Sequence, residues 1–357
     1  MDKETINQIL TRAVNAPSGS NSQPWHFGHR EGELMIFAEP EKDHPILNYH
    51  HRGTWIAHGA LIENIKIAAA ALGWHSTIII FPDPSQTNLT ARIQFHKAAP
   101  SDEDLSQVMP QRATNRKRYD LKSLHEEERH YLNNSITEVG ESGVGIVWIR
   151  DKKVITRLGQ VAAANEIVTL ENRKLHELFF DEIVWTREEE TRKKKGLYLE
   201  TMELKSGEKF GLLLFKKWAR MKRLAKLGAA RKVAESNAKN YAATPLIGLV
   251  VVENNDQSFL SAGRVVERAW LKAERLSLGF HLITGTMFYW QGINLGEVGV
   301  LSEEHCKIIN EEYAAVVQIA GLKPDDNKYL VTAMLRVGRA ARPSGYSTKL
   351  PPRIADY

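Results

Sequence analysis

The sequence predicts an α+β protein with two halves, and three observations support this class. Segments with helical periodicity alternate with short β-type runs that end in turn residues. The 357 residues, 43% hydrophobic and 25% charged, are enough for two ordinary domains or one large one. Residues 59–74 and 261–278 share a small-residue start, a central charge, alanines and a terminal Leu-Gly. This internal similarity predicts one long central helix in each half. The alternative is a chance similarity, because alanine-rich helices that end in glycine are common.

The first hundred residues predict a helix, a loop, and then a strand, a long helix and two strands. Residues 3–15 are amphipathic, with apolar side chains on one side of a helix. A Pro-Ser-Gly-Ser-Asn run then breaks the helix. The elements expected after it are a strand at 34–38, a helix at 59–74, and strands at 78–81 and 91–95.

A polar boundary at residues 98–104 separates this part from the rest of the chain. Ser101 resembles a helix N-cap, with Asp104 three residues later. Beyond it we expect helices at 102–110, 123–137, 152–180 and 261–278, the last closed by Gly279, and strands at 145–149, 246–252, 316–322 and 329–337.

Composition excludes few functions and indicates a cytoplasmic protein. The net charge of +5 is too small to choose among phosphorylated ligands, anionic membranes and nucleic acid. The single cysteine, Cys306, excludes an internal disulfide and favours a reducing compartment. The first residues lack the apolar core of a secretory signal. Apolar runs such as 241–252 are far shorter than the ~20 residues needed to span a bilayer.

The most informative motif is the run Ala-Pro-Ser-Gly-Ser-Asn-Ser-Gln-Pro-Trp at residues 16–25. Ser18, Gly19 and Asn21 offer backbone donors and short polar side chains, which suit the edge of a heteroaromatic ligand with alternating donors and acceptors. Gln23 and the residues after it would fix the loop where it re-enters the fold. The plain alternative is a surface turn, because Pro, Ser, Gly and Asn favour turns of any function.

A second motif, at residues 111–120, is strongly basic. Arg112, Thr114 and Arg116 form an Arg-x-Thr-x-Arg pattern. Two guanidiniums and a hydroxyl can make charge-assisted hydrogen bonds to a phosphate. The alternative is a solvated basic loop.

Together the two motifs resemble the FMN-dependent nitroreductase family, which carries an APS-x-x-N-x-QPW loop and an Arg-x-Ser-x-Arg phosphate clamp. The resemblance covers most of the chain. In that family the clamp comes before the loop, whereas only about fifteen residues precede the loop here. The order of the motifs, with Gly59-Ala60 and Asn64 in the first long helix, is similar to the tandem, Acg-like branch of the family.

The resemblance implies that Ser18, Gly19, Asn21, Arg112, Thr114 and Arg116 bind FMN. It also suggests two further contacts. Arg353, in Leu-Pro-Pro-Arg-Ile, corresponds to a late arginine that reaches the same phosphate. Residues 281–285, with Ile283, Thr284 and Gly285, follow the second long helix where the family places backbone against the flavin N5 side. The proline and acidic residue common in that family segment are absent here.

The branch also implies an architecture. We expect a nitroreductase-like fold in which an N-terminal half at 1–104 and a C-terminal half at 105–357 form an intramolecular pseudo-dimer. Ordinary nitroreductases are dimers with two flavin sites, each using the clamp of one subunit and the loop of the other. This chain has one clamp and one loop in different halves, so a single composite FMN site is expected and no obligate dimer is needed for it.

An insert at about residues 186–240 interrupts the second half. From Lys209 to Ala234 it holds nine Lys or Arg residues and no acid, interleaved with apolar residues. Three interpretations remain open: a lid over the flavin, a basic amphipathic segment at 209–232 that contacts an anionic membrane, or a helix with a solvated basic face.

The expected function is that of an oxidoreductase in which FMN carries hydride from NAD(P)H to a nitroarene, quinone or enone. The flavin carries the chemistry, so no catalytic side chain is expected. The alternative is a protein that sequesters or stores FMN beneath a lid, without NAD(P)H-dependent turnover. A cofactor-free basic interaction protein is the third hypothesis. No metal-ligand pattern and no Rossmann or Walker motif occurs, and we expect no nucleic-acid partner.

Overall fold

The computed structural model describes residues 1–30, 32–44, 46–101, 105–297, 299–323 and 327–356. Helices and strands alternate along these ranges, as the sequence predicted for an α+β protein. The helices are Lys3–Ala13 (α1), Arg52–Ala71 (α2), Glu126–Asn133 (α3), Ser135–Val139 (α4), Lys152–Glu171 (α5), Arg173–Glu182 (α6), Arg187–Lys193 (α7), Ser206–Phe215 (α8), Trp218–Ala225 (α9), Ala229–Tyr241 (α10), Asp256–Arg275 (α11), Gly285–Asn294 (α12) and Glu303–Ile319 (α13). The strands are Trp25–Arg30 (β1), Glu33–Ala38 (β2), Trp74–Ile80 (β3), Leu89–Lys97 (β4), Val144–Ile149 (β5), Ile183–Val184 (β6), Leu197–Tyr198 (β7), Leu246–Glu253 (β8), Gly279–Ile283 (β9), Tyr329–Gly338 (β10) and Ile354–Asp356 (β11).

The strands form two main sheets. The first has the order β11-β1-β2-β4-β3 and the second the order β5-β8-β10-β9, while β6 and β7 form a separate pair. Strand β11 pairs in parallel with β1, with Phe27 opposite Ile354. The C-terminal strand therefore joins the sheet whose other four strands come from the first hundred residues.

The two long helices α2 and α11 cross at two glycines. A Cβ on Gly59 would lie 1.8 Å from the carbonyl oxygen of Leu260, and one on Gly263 would lie 2.0 Å from that of Ile56. The contact is reciprocal, since each glycine faces the carbonyl of the residue three positions before the other. Only glycine permits so close an approach of two helix backbones.

One hydrophobic core cluster joins the two sheets through this helix pair. It includes residues of α1 and α2, of β1 and β2, and of α11, β8 and β10. A second cluster covers the other face of the second sheet with α5, α12 and α13. A third, smaller cluster holds the insert together, with Leu212 of α8 and Met221 of α9 packed against Leu170 and Phe180. The insert is therefore a packed part of the fold.

Several predicted elements differ from those observed. The predicted strand at 316–322 is wrong, because residues 303–319 form α13, whose N-cap Ser302 accepts a hydrogen bond from His305 N. The predicted helix at 152–180 is two helices, separated at Asn172, whose side chain caps α6. Helix α11 begins at residue 256 because Asn255 caps it, and Gly279 starts β9 rather than closing the helix. Of the helix predicted at 102–110, residues 102–104 lie outside the described residues and Leu105–Gln111 is a 3-10 helix.

Candidate functional site

The loop at residues 16–24 is strained and firmly held. Ser20, Asn21 and Gln23 have φ values of 44°, 55° and 51°, in the left-handed region that non-glycine residues seldom adopt. The Gln23 amide donates to Lys194 O at 2.7 Å and accepts from Leu350 N at 2.7 Å. The loop is thus fixed between the end of α7 and the C-terminal segment. Strain of this kind persists where surrounding contacts enforce it and is frequent at binding sites.

Ser18 and Asn21 have different roles within this loop. The Ser18 hydroxyl accepts from Gln23 N at 2.9 Å and lines two neighbouring cavities. The Asn21 side chain donates to Lys194 O at 3.1 Å and to Thr348 O at 3.0 Å. These bonds occupy the amide donor of Asn21, so this predicted ligand contact mainly holds neighbouring segments in place. Gly19 lines the larger of the two cavities.

The smaller cavity, called here the polar cavity, has a volume of about 120 Å³. It brings together loop residues Ser18 and Asn21 with the predicted clamp residues and a lysine from the C-terminal segment. Its polar lining includes Asn15, Ser18, Ser20, Asn21, Arg112, Thr114, Arg116, Thr201, Ser347 and Lys349. The two sequence motifs, about ninety residues apart, therefore meet at one place.

Arg112 is largely balanced by the protein. Its Nε lies 3.4 Å from a carboxylate oxygen of the fully buried Glu267, and its guanidinium stacks 4.3 Å from the ring centre of Trp270. Its Nη2 donates to Asn15 O at 2.8 Å. Burial raises the pKa of Glu267 to about 7, against the opposing effect of Arg112. Arg112 is thus both a cavity cation and a structural partner of Glu267.

Arg116 has no such partner. Its Nη1 donates to Thr201 O at 2.9 Å, and no carboxylate of the described residues lies within ion-pair distance. Burial lowers the pKa of its guanidinium. The segment is positioned by Asn115, which donates from its backbone to Phe280 O and from its side chain to Ala341 O. A half-buried guanidinium without a carboxylate partner favours the binding of an anion beside it.

Lys349 adds an amino group to the lining of the polar cavity, a contact that was not predicted from the sequence. Its Nζ donates to Ala16 O at 2.9 Å and to the Asn21 side chain at 2.8 Å. Burial, with the neighbouring Arg112, lowers the pKa of Lys349 to about 7. Next to it, Thr348 donates its hydroxyl to Glu190 at 2.6 Å, which fixes this segment against α7.

Arg353, predicted for the same role, lies elsewhere. Its guanidinium donates to both carboxylate oxygens of Glu39, at 2.7 and 2.6 Å, and its side chain is 59% exposed. The pairing of β11 with β1 places Arg353 at the sheet edge next to Glu39. Among the described residues, Arg116 and the loop at 16–24 line two cavities together, and Arg353 is part of the lining of neither.

The larger cavity, called the central cavity, has a volume of about 380 Å³. It shares Ser18, Thr114 and Arg116 with the polar cavity, so the two spaces adjoin. Its apolar lining comes from both long helices, from the end of β9 and from α12, and consists of Ile56, Ala57, Trp270, Leu282 and Phe288 among others. Asp43 and Glu182 add carboxyl groups whose pKa values are raised by burial.

The 281–285 segment ends β9 and begins α12. Leu282 and Thr284 line the central cavity, whereas the Ile283 side chain is buried in the core behind the second sheet. Of the predicted contact residues, Ile283 can therefore offer only its backbone. A Cβ on Gly285 would lie 2.7 Å from the Asn165 amide, which also lines the central cavity.

A third space, called the insert cavity, has a volume of about 540 Å³ and lies beneath α8 and α10. It shares Arg116, Asn165, Thr169, Phe179 and Leu197 with the central cavity. Its polar end holds Glu166, whose Oε1 accepts from the Tyr241 hydroxyl at 2.7 Å and from Asn237 at 3.1 Å. Oε2 is buried without a hydrogen-bond partner among the described residues, and burial raises the pKa of Glu166 to about 8.

No cluster of three or more His, Cys, Asp or Glu side chains suited to a metal ion occurs in the described ranges. The candidate site consists of the polar cavity, lined by Arg112, Arg116 and Lys349, and the adjoining central cavity, whose lining is largely apolar. Pockets of several hundred Å³ with a few placed polar groups are typical of cofactor and substrate sites.

Comparison with solved structures gives distant matches. B. megaterium NfrA2 is 13% identical with a TM-score of 0.38, over 70% of this chain and 71% of that one. An FMN-dependent nitroreductase from Clostridium difficile is 12% identical with a TM-score of 0.33, over 68% of this chain and 88% of that one. Iodotyrosine deiodinase bound to FMN and 3-iodo-L-tyrosine is 14% identical with a TM-score of 0.37, over 69% and 95% of the two chains.

No protein-family model matches the chain. Among curated proteins it is similar to "Uncharacterized protein MT1398" of Mycobacterium tuberculosis, with 24% identity over 81% of this chain and 40% of that protein. "Putative NAD(P)H nitroreductase Rv3131" of the same organism is 32% identical over 33% of this chain and 35% of its own length. "Putative NAD(P)H nitroreductase acg", also of that organism, is 26% identical over 27% of this chain and 29% of its own length. The chain thus spans less than half of these relatives. The predicted resemblance to nitroreductases, including Acg, is confirmed as a distant one.

Proposed function

We propose that this nitroreductase-like chain binds one FMN and uses it to pass hydride from NADH or NADPH to an electron-poor acceptor such as a nitroarene, a quinone or an enone. The observation that carries the proposal is the meeting of the strained loop at 16–24 with the basic segment at 112–116 around two adjoining cavities. The distant nitroreductase relatives give independent support.

The polar cavity suits a flavin phosphate. Such a group carries a charge of about −1.5 to −2 at neutral pH and three acceptor oxygens. Arg112, Arg116 and Lys349 supply cationic donors and Thr114 a hydroxyl. A phosphate would provide the counter-charge that Arg116 lacks, and it would favour the charged form of Lys349. The donor set of the cavity therefore fits the group.

The central cavity suits the flavin ring. Its apolar walls can exclude water from the ring, and Asn165 and the backbone near Thr284 offer hydrogen-bonding groups at the rim of the cavity. FMN, when bound, supplies the capacity to accept and donate hydride. The residues of the chain hold and orient it, shield the ring and leave the adjoining insert cavity for a second molecule.

We further propose that the chain is an intramolecular pseudo-dimer with halves at 1–104 and 105–357, in which β11 of the second half joins the sheet of the first. The reciprocal contact of Gly59 with Leu260 and of Gly263 with Ile56 supports an approximate two-fold axis through the helix crossing. Glu63 and Glu267 each lie four residues after the glycine of their helix. Glu267 pairs with Arg112 of the polar cavity, whereas Glu63 pairs with Arg264 of α11. This difference supports one FMN site rather than two.

The visible spectrum of the purified protein tests the proposal. We expect a flavin absorption band, one FMN per chain after reconstitution, and anaerobic bleaching of the band by NADH or NADPH. A protein that takes up no FMN at micromolar concentration would refute the binding proposal. A flavin that neither nucleotide reduces would refute hydride transfer from them.

The alternative function is storage or sequestration of FMN beneath a lid. The observation that favours it is the cover that α8 and α10 of the insert form over the insert cavity, next to the central one. In that case dithionite would reduce the flavin and NADPH would not. Leu212→Ala, which removes a buried side chain of the cover, would then restore reduction by NADPH. Leu213→Ala is the matched control because Leu213 is 53% exposed.

A further inference from the structure

The outward surface of the insert exposes large apolar side chains. Phe210, Leu213, Leu214 and Leu227 are 64%, 53%, 37% and 77% exposed. The other exposed large apolar residues of the described ranges, Ile79, Leu121, Tyr329 and Tyr346, are scattered over the rest of the chain. Scattered residues of this kind are ordinary, whereas a cluster marks an interaction surface.

The cluster follows from helical geometry. Phe210, Leu213 and Leu214 are spaced i, i+3 and i+4 along α8, so they share one side of the helix. Leu212, on the other side, is buried together with Met221 of α9. The two helices therefore share a core, and Phe210, Leu213 and Leu214 lie on the side of α8 that faces away from it.

The segment that carries these exposed residues is also strongly basic. Between residues 209 and 232 there are nine Lys or Arg residues and no acid. Lys209 pairs with Glu200 and Arg231 with Glu304, and Lys216 lies 4.4 Å from the ring centre of Trp185. The other six cations have no carboxylate of the described residues within ion-pair distance; they are Lys217, Arg220, Lys222, Arg223, Lys226 and Lys232.

We propose that this basic–apolar face, formed by the four exposed apolar residues and the six unpaired cations, docks on an anionic membrane surface. Exposed leucines and a phenylalanine can enter the boundary between headgroups and acyl chains while lysines and arginines contact lipid phosphates. No helix among the described residues is long and apolar enough to span a bilayer, so the contact is peripheral.

The charge pattern favours a membrane over two other partners. A two-fold contact with a second copy would place the unpaired cations of the two copies against each other. A nucleic acid would satisfy the cations but would leave the exposed leucines without an apolar partner. Anionic lipid complements both. The proposal does not depend on bound flavin.

Co-sedimentation with phosphatidylcholine vesicles, with and without phosphatidylserine, tests the proposal. We expect binding only to the anionic vesicles, weakened by salt. The triple variant Arg220→Glu, Lys222→Glu, Arg223→Glu should bind at least a hundredfold more weakly, since each basic residue near the surface contributes about fivefold. The control variant Lys97→Glu, Lys122→Glu, Lys153→Glu makes the same charge change at exposed positions elsewhere and should bind like the parent.

A second variant, Phe210→Ser with Leu213→Ser, tests the apolar part and should weaken vesicle binding without reducing thermal stability, because both side chains are exposed. Equal loss in the control triple would overturn the proposal, since it would show an effect of net charge alone. If the protein bound no vesicles but formed dimers that the Arg220 triple variant abolished, the face would be a contact between two copies of the chain. If it bound no vesicles but bound duplex DNA, and the same variant abolished that binding, the face would be a nucleic-acid site.

Discussion

Replacing Arg116 by alanine separates ligand binding from folding more cleanly than replacing Arg112. Arg116 lines the polar, central and insert cavities and is held by one hydrogen bond to Thr201 O. Arg112 has the buried Glu267 and the Trp270 ring as partners. The two substitutions should therefore affect different quantities, although both residues belong to the same sequence motif.

The magnitudes follow from these contacts. A hydrogen bond between charged groups contributes about 1.5–3 kcal/mol, so Arg116→Ala should raise the Kd for FMN by about 10- to 150-fold. The stability of the FMN-free protein should stay the same or rise, because the variant removes a half-buried cation with no carboxylate of the described residues within ion-pair distance. Arg112→Ala leaves Glu267 buried without its partner and should lower the free energy of unfolding by about 3 kcal/mol at neutral pH.

Quenching of FMN fluorescence on titration with FMN-free protein measures the Kd, and urea denaturation measures stability. Arg118→Ala, an exposed arginine two residues further on, is the matched control and should change neither quantity. If Arg116→Ala bound FMN as tightly as the parent, the assignment of the polar cavity to the phosphate would be refuted. If Arg116→Ala instead destabilised the free protein as much as Arg112→Ala, our account of its unpaired charge would be wrong.

Three further predictions concern stability and protonation. Gly263→Ala should lower the free energy of unfolding by about 3 kcal/mol or more, because its Cβ would lie 2.0 Å from Ile56 O. The control Gly211→Ala lies in open space on α8 and should raise the free energy of unfolding by about 0.5–1 kcal/mol. Equal urea midpoints for the two variants would contradict the close contact of α2 with α11. Burial raises the pKa of Glu166 from 4.5 to about 8, so its contribution to stability is present below about pH 4.5 and is lost as the pH rises towards 8. The Tm of Glu166→Gln should therefore fall less over this pH range than the Tm of the parent. Identical Tm–pH profiles for the two proteins would exclude the raised pKa. The pKa of Lys349 is lowered to about 7 in the free protein, so FMN binding at about pH 8 should be accompanied by proton uptake. Calorimetry in buffers of different ionisation enthalpy should detect a smaller uptake in Lys349→Met than in the parent. Equal uptake in the two proteins would place Lys349 outside the phosphate site.

Local patterns predicted the elements whose structure is decided locally. The predicted helix at 3–15 matches α1, and the predicted strand at 246–252 matches β8, because amphipathic spacing and a run of buried aliphatic residues are strong signals. The meeting of the loop at 16–25 with the segment at 112–116 could also be anticipated, though from a family resemblance rather than from periodicity.

Features decided by tertiary contacts could not be read locally. Val316 and Val317 belong to an apolar run typical of a strand, yet the cap at Ser302 and packing behind the second sheet make it part of a helix. Lys349 and Arg353 are both cations in one proline-containing segment, and nothing local distinguishes them. The pairing of β11 with β1 decides that Arg353 meets Glu39 and that Lys349 faces the polar cavity.

The crossing of α2 and α11 also has a kinetic consequence. It joins residues about two hundred positions apart, and contacts of such high sequence separation form slowly because a long loop must close first. During synthesis, α2 leaves the ribosome well before α11. Its buried side, with Trp55, Ile56 and Ala60, then remains uncovered until its partner arrives. The nascent chain should therefore pass through a stage at which chaperones protect the first half from aggregation.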